Sequence, residues 1–99
     1  MNYSRETIAE KNMTLSFEFE RYILEHPDLL AQIPPEAEVI LLPKDDPELY
    51  RINLEAAQKV EYSADAPPLV YIEIEALAPA RSRLVNPHLT FRPSPLVSR

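Results

Sequence analysis

The chain has no glycine, no cysteine and no tryptophan among its 99 residues. Without glycine there is no Walker loop and no dinucleotide fingerprint, because both bring backbone against phosphate where a side chain would collide. Positive-φ positions then fall to Asn or Asp, and Asn53 and Asn86 are the expected users. Without cysteine there is no disulfide framework, no thiolate zinc site and no cysteine nucleophile, which fits a reducing compartment. The N-terminal MNYSRETIAEKN has no apolar run of the signal-peptide kind, and Val39-Ile40-Leu41-Leu42 falls far short of a membrane span. A cytoplasmic protein, off the membrane, is expected.

What the chain does have is proline, eleven of them, and a split in charge. All sixteen acidic residues and six of the ten cations precede Pro79, so residues 1–78 carry −10. Arg81, Arg83, Arg92 and Arg99 give residues 79–99 a charge of +4. The expected organisation is an acidic α/β domain over 1–78 and a basic, proline-rich tail over 79–99. An acidic body argues against wrapping nucleic acid and suits a basic protein partner, although −6 overall also serves solubility.

Residues 13–19 carry two signals. Met13, Leu15, Phe17 and Phe19 alternate with polar residues as a strand would. The flanks favour a helix, with Thr7 and Glu10 suited to a capping box and no breaker before His26-Pro27. On that helix Ile8, Leu15, Phe19, Tyr22 and Ile23 share a face, with Phe19 and Tyr22 expected in the core. Met13, Phe17 and Leu24 make a second stripe. Asp28 to Ile33 suits one more short turn of helix. Val39 to Leu42 reads as a strand apolar on both faces. Asp46-Pro47-Glu48 is a helix start, with cap, first-position proline and dipole-facing acid in order. That second helix runs to about Val60, with Tyr50 and Leu54 widening its apolar arc. Leu69 to Ala76 alternates as a strand. Prolines 79, 87, 93 and 95 keep the remainder extended, with His88 to Arg92 a candidate edge strand.

The fold class expected is α/β (α+β being the variant), a single small domain. Its order is helix–strand–helix–strand with a right-handed parallel βαβ unit and an extended C-terminal tail. Two parallel strands leave edge donors and acceptors unpaired, so the tail, a second copy or another protein must finish the sheet.

Chemistry-bearing clusters are sparse. Glu25-His26-x-Asp28 and Asp45-Asp46-x-Glu48 contain metal-ligand types, but dipole and capping roles account for them, so no metal or cofactor is assigned. Glu73 and Glu75 share one strand face without any sign of burial, as a solvated surface would. Ser82 between Arg81 and Arg83 suits an anion contact or modification, with a solvated tail the plainer reading. No serine sits in a nucleophile motif.

Leu15-Ser16-x-Glu18-Phe19-x-Arg21-Tyr22-x-x-Glu25-His26-Pro27, Asp45-Asp46-Pro47-Glu48-Leu49, Val70-Tyr71-x-x-Ile74 and Ser82-Arg83-Leu84 together resemble a family of small prokaryotic proteins catalogued only as a domain of unknown function. The likeness covers most of residues 11–87. It implies a compact mixed α/β domain and brings no activity or site residue; an antitoxin-like role is an analogy from size and acidity alone.

The leading expectation is therefore a non-enzymatic protein-binding module, an inhibitor or accessory subunit, contacting a protein partner or a second copy. Its expected contact residues are Met13, Phe17, Leu24, Tyr50, Leu54, Arg81, Arg83, Phe91 and Arg92. Two alternatives belong to other classes. One is a small metal-dependent hydrolase using His26, Asp28, Asp45 and Asp46. The other is a weak nucleic-acid binder acting through the tail.

Overall fold

The computed structural model describes residues 2–92. Five elements follow in order: α1 (Arg5–Glu25), α2 (Pro27–Ala31), β1 (Glu38–Pro43), α3 (Pro47–Glu61) and β2 (Leu69–Ile74). The strands pair in parallel, from Glu38 against Leu69 to Pro43 against Ile74. The chain is thus a mixed α/β domain built on one strand–helix–strand unit.

The helix starts follow local chemistry. Ser4 caps α1, its Oγ accepting from Thr7 N–H at 3.1 Å, so the cap lies one turn before the Thr7–Glu10 box that spacing suggested. Ser4 competes well because its carbonyl also takes Ile8 N–H, closing the first helical turn. Pro27 ends α1 and opens α2 as its first residue. At α3 the expected arrangement holds: Asp46 accepts from Leu49 N–H, and Pro47 stands in the first turn.

Strand register sorts the side chains. Val39, Leu41, Pro43, Val70, Ile72 and Ile74 project from one face of the sheet, and Ile40, Leu42, Leu69, Tyr71 and Glu73 from the other. Helix α3 covers the Leu42 face. Tyr50 Oη donates to Glu73 Oε2 at 2.6 Å and Tyr71 Oη to Glu61 Oε1 at 2.7 Å across that layer. Leu42, Leu49 and Ala57 are buried there. Helix α1 approaches the opposite face, where Leu15 is buried and Phe19 half-buried.

Four sequence expectations need correction. Asn86 takes the positive φ (45°), but Asn53 lies inside α3 with helical backbone. Tyr22 is half exposed rather than core, its ring stacked on His26 at 3.8 Å. The last strand ends at Ile74, and Glu75 already bends away. His88 to Arg92 forms no strand among the described residues; the tail through residue 92 is exposed, and its hydrogen bonds are local ones. Leu84, Val85, Leu89 and Phe91 are left exposed there, because the prolines and arginines between them keep them from forming one continuous apolar face.

Candidate functional site: one closed and one open sheet edge

Backbone direction decides which groups the sheet leaves over. Glu38 N–H donates to Pro68 O and Lys44 N–H to Ile74 O. Within a strand, residues two apart point their backbone groups the same way. The even-numbered residues of β1 therefore face β2, and Val39, Leu41 and Pro43 face outward. On β2 the outward residues are Leu69, Tyr71 and Glu73.

The β1 edge is partly closed: Val39 and the Leu41 N–H take no hydrogen bond among the described residues, but the centre and end of the edge are obstructed. Asn53 Nδ2 donates to the outward Leu41 carbonyl at 2.9 Å, and Pro43 has no N–H to offer. Asn53 is itself held by Asn12 through reciprocal amide bonds of 2.9 and 3.1 Å. A strand trying to join β1 would have to displace this pair. Asn53 was invisible as a sealing residue in the sequence, where a mid-helix asparagine signals only poor helix propensity.

The β2 edge is open. Among the described residues no hydrogen bond reaches the outward backbone groups of Leu69, Tyr71 or Glu73. Beside that edge lies a cleft of about 580 Å³ between β2 and the C-terminal half of α1. Its apolar wall includes Leu15, Phe19, Leu29, Ile72 and Ile74, and among the described residues Glu18, Glu73 and Glu75 supply its charges. The Glu73 carboxyl is held below its usual range by the Tyr50 hydroxyl it accepts from and by Lys44 nearby. The cleft rim is therefore anionic at neutral pH.

Asp46 anchors the body just past the end of β1. It accepts from Tyr3 Oη at 2.9 Å, from Lys11 Nζ at 3.1 Å and from Leu49 N–H. Lys11 also lies over the Tyr3 ring at 4.9 Å. These contacts tie the start of α1 to the start of α3 and swing the rest of α1 across the sheet.

The residues expected to meet a partner separate into three places. Met13, Phe17 and Leu24 form an exposed stripe on α1, at 58%, 58% and 80% of full exposure. Tyr50 and Leu54 are half-buried on α3, across the sheet from α1, and Tyr50 is engaged with Glu73. Arg81, Arg83, Phe91 and Arg92 are exposed on the tail. The structure does not gather them into one patch. His26 and Asp28 sit at the α1–α2 junction, while Asp46 meets Lys11, fifteen residues earlier on α1 and about 22 Å away by helical rise. Among the described residues no group of three His, Cys, Asp or Glu side chains is placed to share a metal. No described helix is long and apolar enough to cross a membrane.

Residues 7–87 match a family of unknown function, DUF5647, and with most of its length matched the chain belongs to that family. No curated protein and no solved structure matches it.

Proposed function

We propose that this member of a family without an assigned activity is a protein-binding module that captures an extended segment along the outer edge of β2. The observation that carries the reading is the asymmetry of the sheet: Asn53 and Pro43 obstruct the middle and end of one edge, and nothing described obstructs the other. An added strand gains main-chain hydrogen bonds from Leu69, Tyr71 and Glu73. Every second side chain of that strand enters the apolar cleft, which is how edge-pairing modules combine affinity with selectivity. The carboxylates of Glu18, Glu73 and Glu75 favour a segment with basic residues at alternate positions. The module acts by binding rather than by catalysis. It works in the cytoplasm, in keeping with a chain free of cysteine. An antitoxin-like inhibitor masking a basic partner is one form such capture takes.

A phage-displayed random peptide library panned against the full chain at nanomolar concentration tests the reading. Enriched sequences are expected to alternate apolar residues with Lys or Arg. Glu73→Pro removes an outward N–H that the fold does not use, and Glu73→Ala removes only the carboxylate with its Tyr50 and Lys44 bonds. With the circular dichroism spectrum retained in both, Ala should weaken binding and Pro should abolish it. Peptides that bind the folded Glu73→Pro chain equally well would refute edge capture.

A further inference from the structure

The tail contains the kind of segment this edge selects. Between Pro79 and Pro87 lie seven residues, Ala80 to Asn86, the longest stretch after Pro79 in which every residue keeps its N–H. In it Arg81, Arg83 and Val85 alternate with Ser82 and Leu84. Leu84 and Val85 are 74% and 85% exposed, and the segment makes no hydrogen bond to the body. The family match ends at residue 87, directly after it.

We infer that residues 80–86 of a second copy of this chain form a third strand on β2, antiparallel, with Arg83 opposite Glu73, the last outward residue of the strand, and Arg81 just past its end toward the Glu75 bend. Pairing rules fix the parity, and the position of Glu73 selects the register within it. The outward backbone groups of β2 belong to odd-numbered residues, so their hydrogen-bonded partners on the incoming strand must also share one parity. Choosing Arg81, Arg83 and Val85 sets Arg83 against Glu73 on the polar face and carries Arg81 toward the Glu75 carboxylate beyond the strand end. The same choice sets Leu84 against Ile72, on the face that lines the apolar cleft. A slip of one residue would drive both arginines into that cleft, so the register is well specified. The inference rests on the edge-capture reading and names its occupant.

The direction of the chain after β2 favours a second copy over the same one. Leu77 N–H donates to Asp45 Oδ2 at 3.2 Å, and Leu77 lines a cavity with Lys11, Leu15 and Pro43. The bond to Asp45 thus turns the chain toward the end of β1 after β2, with Ala76 and Leu77 lining the near end of the cleft. Folding back onto its own strand would require breaking that bond and closing a loop over residues 76–80. Charge favours the contact itself, a body of −10 receiving an arm of +4, whichever copy supplies the arm. Because each copy both gives and receives an arm, the exchange closes as a twofold dimer and leaves the Leu69–Glu73 edge of neither copy unpaired.

A chain without native cysteine makes the test clean. Cα atoms of a hydrogen-bonded antiparallel pair lie about 5.5 Å apart, within disulfide reach. The full-length variant Glu73→Cys/Arg83→Cys, oxidised at micromolar concentration, should become a covalent dimer on a non-reducing gel, with peptide mapping joining position 73 of one copy to position 83 of the other. A disulfide joining the two positions within one copy would overturn the inference, as would two free thiols in a chain that retains its circular dichroism spectrum. In a cysteine-free background, light scattering should show a dimer whose dissociation constant rises at least tenfold in Arg81→Glu/Arg83→Glu. An unchanged constant, or a native chain that stays monomeric at high concentration, refutes it. If these fail while Glu73→Pro still abolishes library-peptide binding, the edge-capture reading stands and only its occupant falls.

Discussion

Removing the Asp46 side chain probes how the body is held together. Its carboxylate is mostly shielded, with 17% of the side chain exposed, and accepts three hydrogen bonds. Asp46→Ala loses the cap of α3, which costs about 1 kcal/mol. Losing the charged acceptor from the α1–α3 junction adds about 1 kcal/mol more. The expected total is about 2 kcal/mol, or ~10 °C in Tm for a domain this size. Asp46→Asn keeps a good capping oxygen and loses only the charge, so it should cost about half as much. The acid limb separates the two contributions. Burial alone would raise the Asp46 carboxyl, but the bonds from Lys11, Tyr3 and Leu49 N–H outweigh it and hold it below 3.8. A carboxyl whose folded pKa is depressed contributes stability above its unfolded pKa and loses it as pH falls through the folded one. The gap between wild type and Asp46→Asn, measured by urea unfolding with far-ultraviolet circular dichroism, should be full at pH 6 and shrink steadily below pH 3.8. Equal costs for Ala and Asn, or a gap indifferent to acid, would refute this account.

Three further outcomes follow from the same structure. Asn53→Ala strands the Leu41 carbonyl and should cost about 1–2 kcal/mol in urea unfolding; by freeing the β1 edge it should also promote concentration-dependent association, seen by light scattering. Leu49 is 2% exposed, so Leu49→Ala should cost about 3 kcal/mol, a large share of the stability of a 99-residue chain, and lower the urea midpoint accordingly. The Tyr50 phenol is raised above 10.0 by its hydrogen bond to Glu73, with burial adding to it. Absorbance at 295 nm in Glu73→Ala should show one tyrosine ionising at lower pH than in wild type. The stabilising contribution of the Tyr50–Glu73 bond is present below pH 10.0 and should fade as pH rises through the folded pKa.

Much of the fold was legible in the sequence because its signals are local. The Asp46-Pro47-Glu48 start lies within one helical turn, and the alternation of Val70, Ile72 and Ile74 is a property of neighbouring residues. The apolar pair of stripes on α1 was equally readable, and Phe17 and Leu24 are indeed left in solvent. Other features were misread where a local signal had a local rival. Ser4 outcompeted Thr7 as a cap, and Tyr22 found a stacking partner in His26 in place of the core.

By itself, then, the sequence determined the kinds of element, their order and the division into an acidic body and a basic arm, since composition and short-range periodicity decide these. Only the tertiary structure decided which edge of the sheet is obstructed. That depends on Asn53 meeting Leu41 and Asn12, contacts spanning 12 and 41 residues, and on the parity of backbone groups that strand register alone fixes. No window of sequence contains either.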